Sequence, residues 1–207
     1  MKWGVNINII FDIGMVLADF RWSEYCKDKG ISEDIVKLLE ERMILNPVWD
    51  EFDLALIPPE ILIDKLEGRF PECKAEYRKF WEDITELVLP FDYSADWIKR
   101  LKAQGHRVYL LSNYPGFMFE IHSKSFGFMD DIDGRVVSYE YHIMKPDPMI
   151  YNILLKKYDL KAEECVFLDD RKVNTDGAEK CGIHGIWFKD YQSASAELDA
   201  YINSRKD

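Results

Sequence analysis

Six side chains able to share one phosphoryl group or one divalent cation punctuate the chain beside short apolar runs. Asp12 follows Ile9-Ile10-Phe11, Ser112 and Asn113 follow Val108-Tyr109-Leu110-Leu111, and Asp169 and Asp170 follow Val166-Phe167-Leu168. Lys145 stands in the run Lys145-Pro146-Asp147-Pro148. Singly, each has an ordinary use: Asp12 as a turn or cap, Ser112-Asn113 as a turn, Lys145 as a solvated cation. Two adjacent carboxylates repel unless a cation or a proton joins them, so Asp169-Asp170 is harder to dismiss. Together, three carboxylates, a hydroxyl, an amide and an ammonium form the set that phosphoryl transfer needs. Carboxylates hold Mg²⁺ through hard oxygens. The ammonium neutralises nucleophile and phosphate, and the hydroxyl and backbone N–H groups hold the equatorial oxygens.

Such a set works only if the fold gathers it. Residues 6–11, 106–111, 165–168 and 184–188 are short, bounded and mostly continuous in hydrophobicity, the pattern of strands buried on both faces. Between them, helical periodicity covers about 94–104 (closed by Gly105), 148–158 and 173–181 (followed by Gly182). Asp147 is the expected N-cap of the second, with Pro148 at its first position. Alternating strands and helices predict an α/β fold, a Rossmann-like parallel sheet with helices on both faces. In such sheets ligands bind beyond the carboxyl ends of the strands, where Asp12, Ser112-Asn113 and Asp169-Asp170 all fall.

Residues 20–91 break the rhythm. Apolar residues recur there at three- and four-residue spacing, with helix starts at Ser32 and Pro58-Pro59 and no evident strand. This predicts an all-α module inserted after the first strand. The expected division is a core of 1–19 and 92–207 and a helical module of 20–91.

Composition narrows the partners. The formal net charge of −11 and the lack of a basic cluster exclude a nucleic-acid binder. A small anion remains compatible, because local donors and a metal outweigh a screened distant field. No apolar run approaches the roughly 20 residues needed to cross a bilayer. The N-terminal stretch meets Asp12 too early for a signal peptide. Cys26, Cys73, Cys165 and Cys181 show no CxxC and no His at zinc spacing, so reduced thiols in a cytoplasmic protein are expected. A monomer and a homodimer are equally compatible with these features.

The chain resembles the haloacid dehalogenase-like hydrolase superfamily, whose four motifs occur here in order. They are Phe11-Asp12-Ile13-Gly14-Met15-Val16-Leu17, Leu110-Leu111-Ser112-Asn113, Lys145-Pro146-Asp147-Pro148-Met149-Ile150-Tyr151, and Phe167-Leu168-Asp169-Asp170 with Asn174, Gly177 and Ala178. The likeness covers residues 7–20 and 92–189, and 20–91 is similar to the family's helical (C1-type) cap. The first motif is most similar to a phosphatase branch that includes the bacterial α-glucose-1-phosphate phosphatases. The resemblance implies a Mg²⁺-dependent phosphatase acting on a small phosphorylated metabolite, a sugar phosphate first. It implies Asp12 as nucleophile and metal ligand, the carbonyl of Gly14 as a second ligand, and Asp170 as a third with Asp169 beside it through water. Ser112 and Lys145 then bind the phosphoryl group, and Asn113 borders it.

One position departs from the pattern. Most phosphatases of the superfamily carry a second Asp two residues after the nucleophile as general acid and base, and here Gly14 stands there. A general acid contributes about 10²–10⁴-fold, so turnover is expected to be slower and to favour leaving groups that need little protonation. Asp19, His142 and Tyr114 are candidate replacements, each with a structural use that fits better. Gly14 also motivates the main alternative, a catalytically impaired relative that binds a phosphorylated ligand. A dehalogenase fits less well, since it needs no metal and Asp169-Asp170 would be a liability. A two-component receiver domain is excluded by order, because there the acidic pair comes first. Trp49 and Phe52, on an apparently irregular stretch between helices, are the candidate pocket walls.

Overall fold

The computed structural model describes residues 6–205. Residues 1–5 and 206–207, the outer ends of the two expected core segments, lie outside the described residues. In chain order the elements begin with β1 (Asn8–Phe11) and β2 (Ala18–Phe20). Five helices follow, α1 (Trp22–Asp28), α2 (Glu33–Leu39, continued by a π-helical turn Glu40–Ile44), α3 (Trp49–Leu54), α4 (Pro59–Glu67) and α5 (Lys74–Glu82). Then come β3 (Val88–Pro90), α6 (Ser94–Ala103), β4 (Arg107–Ser112), α7 (Gly116–His122), β5 (Gly134–Val137) and α8 (Ser138–Tyr141). The chain continues through α9 (Pro148–Lys157), β6 (Cys165–Asp169), α10 (Lys172–Lys180), β7 (His184–Trp187) and α11 (Tyr191–Ser204).

Five strands form a parallel sheet in the order β5-β4-β1-β6-β7. Its central strands are buried along their whole length, which is why they read as continuous apolar runs. Side chains still alternate between faces. Ile9, Phe11, Val108 and Leu110 pack with Trp97, Leu101 and Leu198 of α6 and α11, whereas Ile10, Tyr109, Leu111 and Phe167 pack with Ile150, Leu154 and Ala178 of α9 and α10. The expected α/β sheet with helices on both faces is therefore borne out. Helix ends follow the expected signals: Asp147 Oδ1 accepts the Met149 amide at 2.8 Å, and Gly105 and Gly182 sit at φ +89° and +82°.

Several features were not expected, among them the short helices α7 and α8. The edge strand β5 reads Gly-Arg-Val-Val, too short and mixed to signal a strand. Helix α11 lies beyond the last predicted helix. The stretch 20–91 contains strand residues after all: β2 and β3 pair antiparallel through Ala18↔Pro90, Asp19↔Leu89 and Phe20↔Val88. Strands of three residues, one of them ending in proline, carry no readable alternation. This ribbon stands at the foot of the five-helix insert and leads it back to the sheet. Among the described residues no helix is long and apolar enough to cross a membrane.

Candidate active site

The register of the sheet sets the site. Phe11 lies opposite Leu110 on one side and Leu168 on the other, so Asp12 emerges beside the ends of β4 and β6. Its amide donates to the Leu168 carbonyl at 2.9 Å, and its Oδ1 accepts the Ile13 amide at 2.7 Å. The Lys145 ammonium, 1% exposed, stands 2.9 Å from Asp12 Oδ1 and 2.6 Å from Asp169 Oδ2. It also lies 5.2 Å from the centre of the Phe167 ring. Asp169 is further held by the Arg171 amide at 2.8 Å and by Asn174 Nδ2 at 3.0 and 3.1 Å. Its oxygens are thus largely committed to positioning Lys145 and α10.

Asp12, Asp169 and Asp170 each present an oxygen within 4.8 Å of the others. Three carboxylates against one ammonium would leave a local charge of −2, which a single divalent cation with oxygen preference cancels. Without it, burial pushes the Asp12 carboxyl up to about 7; Asp169 and Asp170 add to this, while Lys145 and a hydrogen bond from Ser112 oppose it. Burial and Asp169 likewise raise Asp170 to about 6. Burial alone would depress Lys145, but Asp12 and Asp169 outweigh it and hold the ammonium above its ordinary value. These residues fit a magnesium ion.

The sequence candidates separate clearly. Asp12, Gly14, Asn113, Lys145 and Asp170 line one cleft together with Trp49, and Ser112 is buried at the end of β4 against Asp12. Asn113 does more than border the cleft, since both ends of its amide bond the Lys145 backbone. Phe52 does not line this cleft. It is buried in an aromatic cluster, 5.5 Å from Trp49, 5.3 Å from Trp81 and 6.1 Å from Phe117. The stretch that carries both is not irregular either; it is α3, whose six residues are too few to show helical periodicity.

None of the three candidate acids is free to act in the cleft. His142 Nδ1 lies 2.8 Å from the Leu54 carbonyl. Asp19 sits on β2 and does not line the cleft. Tyr114 lines it, but its hydroxyl is 2.8 Å from His122 Nδ1, and His122 Nε2 is 2.6 Å from the Ile84 carbonyl. A carbonyl only accepts, so Nε2 carries the proton and Nδ1 accepts from Tyr114. A Cβ built on Gly14 meets no atom within 4 Å, so the cleft is open where an acid would stand.

A profile described as haloacid dehalogenase-like hydrolase matches residues 14–182. The chain belongs to that hydrolase family. A sesquiterpene phosphatase of Aspergillus oryzae is 28% identical over 91% of this chain and 93% of its own. A flavin mononucleotide hydrolase of Arabidopsis thaliana is 26% identical over 75% of this chain and 63% of its own. Among solved structures, a family enzyme of Bacteroides thetaiotaomicron, in complex with magnesium and inorganic phosphate, shares the fold. Its TM-score is 0.70 at 22% identity, over 91% of this chain and 98% of that one.

Within this hydrolase one cleft residue had no local signal, Asp53, which lines the cleft from α3. It is buried at 7% exposure, and its Oδ1 has no hydrogen-bond partner. The run Trp-Asp-Glu-Phe-Asp-Leu looks like a solvated acidic face, and only burial singles out its second Asp. Phe20, Val88 and Met118 complete the apolar wall opposite Asp12, drawn from the ribbon and α7.

Proposed function

We propose that this hydrolase is a magnesium-dependent phosphatase that works through an aspartyl-phosphate on Asp12. The observation that carries the reading is Lys145 bridging Asp12 and Asp169 beside a buried three-carboxylate cluster. The names of the fungal and plant relatives support it. Magnesium held by Asp12, Asp170 and the Gly14 carbonyl, with Asp169 adjacent, would screen the phosphoryl oxygens and cancel the surplus carboxylate charge. Asp12 attacks phosphorus and the bond to the leaving oxygen breaks. Lys145 keeps the Asp12 carboxylate ionised and oriented, and with the Ser112 hydroxyl it binds the phosphoryl oxygens. Asn113 holds Lys145 at the cleft. Water then hydrolyses the aspartyl-phosphate and regenerates Asp12.

In this reading 20–91 is the cap and 1–19 with 92–207 the catalytic core. Cap side chains, Trp49 first, choose the substrate, a small phosphorylated metabolite. A sugar phosphate esterified at the anomeric position is favoured, because that oxygen leaves more easily than an ordinary alkoxide; Phe20, Trp49, Val88 and Met118 also suit an organic group with an apolar face. The four free cysteines agree with a cytoplasmic enzyme, monomeric or homodimeric, without nucleic-acid or membrane partners. The buried carboxylate cluster disfavours dehalogenation, which uses no metal.

The test is phosphate release from a panel of sugar phosphates, flavin mononucleotide and alkyl phosphates, with and without Mg²⁺. Strictly metal-dependent release that Asp12→Asn abolishes is expected. Undiminished activity in Asp12→Asn would sink the covalent route, and binding without turnover would make the chain a phospho-ligand binder.

A further inference from the structure

We propose that Asp53, carried by α3 of the insert, is the general acid and base of this phosphatase, supplying from across the cleft the group that Gly14 lacks. The proposal rests on the phosphatase reading. Its evidence is geometric: Asp53 and Asp12 line the same cleft, and the Gly14 side of that cleft is open. Asp53 Oδ1 is buried without a partner. A buried polar atom left unpaired costs about 1–3 kcal/mol, and Asp53 is the one carboxylate among such atoms in the described residues. Nor does the helix gain from it. Asp53 is the penultimate residue of α3, where the helix dipole disfavours a carboxylate.

The backbone around Asp53 is fixed to the sheet domain. Ser138 Oγ donates to the Asp53 carbonyl at 2.7 Å and accepts the Tyr114 amide at 3.0 Å. His142 Nδ1 meets the Leu54 carbonyl at 2.8 Å. A residue on an inserted helix is thus held in register with the loop that follows Ser112, as a catalytic group must be. Burial, reinforced by Asp50 and Asp12 and opposed by Lys145 and Arg171, keeps the Asp53 carboxyl well above its ordinary range. Tyr114, a further ionisable neighbour lining the cleft, is itself held neutral by burial. The direction is the one an acid needs, toward the protonated form.

The proton balance closes. As Asp12 attacks and the P–O bond to the leaving group breaks, Asp53 gives its proton to the departing oxygen and becomes a carboxylate. In the second step that carboxylate takes a proton from the water that attacks the aspartyl-phosphate. The bond from phosphorus to Asp12 breaks, phosphate leaves, and Asp53 is protonated again.

The test is Asp53→Asn, assayed with an alkyl phosphate and with p-nitrophenyl phosphate, alongside the Mg²⁺-induced shift in thermal unfolding. The alkyl substrate should lose about 10²–10⁴-fold in kcat/KM, which reports the acid-assisted first step alone. The nitrophenyl substrate, whose leaving group needs little protonation, should lose far less, and the Mg²⁺ shift should persist. Equal losses of kcat/KM on both substrates, or none on the alkyl one, would overturn the proposal. If Asp53→Asn does not fold, the wild-type enzyme decides: kcat/KM nearly independent of leaving-group pKa across aryl phosphates supports an acid in the cleft, which the engagement of Tyr114 and His142 leaves to Asp53, and a steep dependence refutes it. Activity surviving in Asp12→Asn would instead remove the phosphatase reading itself.

Discussion

Asn113 and Lys145 exchange two hydrogen bonds: Asn113 Nδ2 donates to the Lys145 carbonyl at 3.1 Å, and the Lys145 amide donates to Asn113 Oδ1 at 2.8 Å. This pairing ties the end of β4 to the segment that delivers the ammonium, 32 residues later. Each such bond contributes about 0.5–1.5 kcal/mol. Asn113→Ala should therefore lower kcat by roughly 10–100-fold, through a displaced Lys145, with a smaller change in KM. Steady-state kinetics on any accepted phosphate ester measures this. A loss confined to KM would mean that Asn113 only borders the substrate.

Metal binding should stabilise the protein more strongly as pH rises. Burial raises Asp12 from 3.8 to about 7 and Asp170 from 3.8 to about 6 in the metal-free site. A group with a raised folded pKa binds more protons folded than unfolded. Its contribution is fully present below about pH 4 and is lost as pH climbs through about 6 to 7. Mg²⁺ binds the deprotonated cluster and restores that loss. The difference in Tm with and without Mg²⁺ should be small at pH 5 and reach a plateau near pH 8. Taking the difference cancels opposing groups such as His122, whose pKa burial lowers. A Mg²⁺ shift of equal size at both pH values would contradict the three-carboxylate site.

Trp49 and Phe52 share α3 but face different tasks. Trp49 lines the cleft and stacks on Trp81 at 6.2 Å, whereas Phe52 is 3% exposed within the aromatic cluster. Phe52→Ala should cost about 3–5 kcal/mol of stability in urea unfolding. Trp49→Ala should cost less stability and chiefly raise KM. The reverse assignment of effects would place the substrate wall in the wrong residue.

What the sequence revealed follows from where each signal originates. Strands β1, β4 and β6 are buried almost throughout, so hydrophobicity alone marks them, and the strand-end rule then gathers Asp12, Ser112, Asn113 and Asp169. Lys145 was legible only through its motif, because the loop before α9 has no periodicity of its own. Edge strand β5, with Gly134 and Arg135, is half solvated and lacks that continuous run. Asp53 was invisible for a different reason. Its meaning comes from a long-range contact, the 85-residue span between Ser138 and its carbonyl, and no local pattern encodes such a contact.

The third and fourth motifs meet at Gly177, and that contact gives the last prediction. A Cβ there would lie 2.9 Å from Tyr151 Oη, 3.1 Å from Pro146 Cβ and 3.2 Å from the Pro146 carbonyl oxygen. Tyr151 cannot yield freely, since its hydroxyl donates to the Asn174 carbonyl at 2.8 Å, and Asn174 in turn holds Asp169. Pro146 is bonded to Lys145, so displacement there moves the ammonium. Gly177→Ala should cost about 1–3 kcal/mol through overpacking and lower kcat as Lys145 shifts. Gly127→Ala is the control, because a Cβ at Gly127 meets nothing within 4 Å, and its stability should stay within about 0.5 kcal/mol of the parent. Thermal and urea unfolding of both variants, with kcat measured on the same preparations, checks the pair. A Gly177→Ala enzyme as stable and as active as the control would show that α10 and the Lys145 segment are not in close contact.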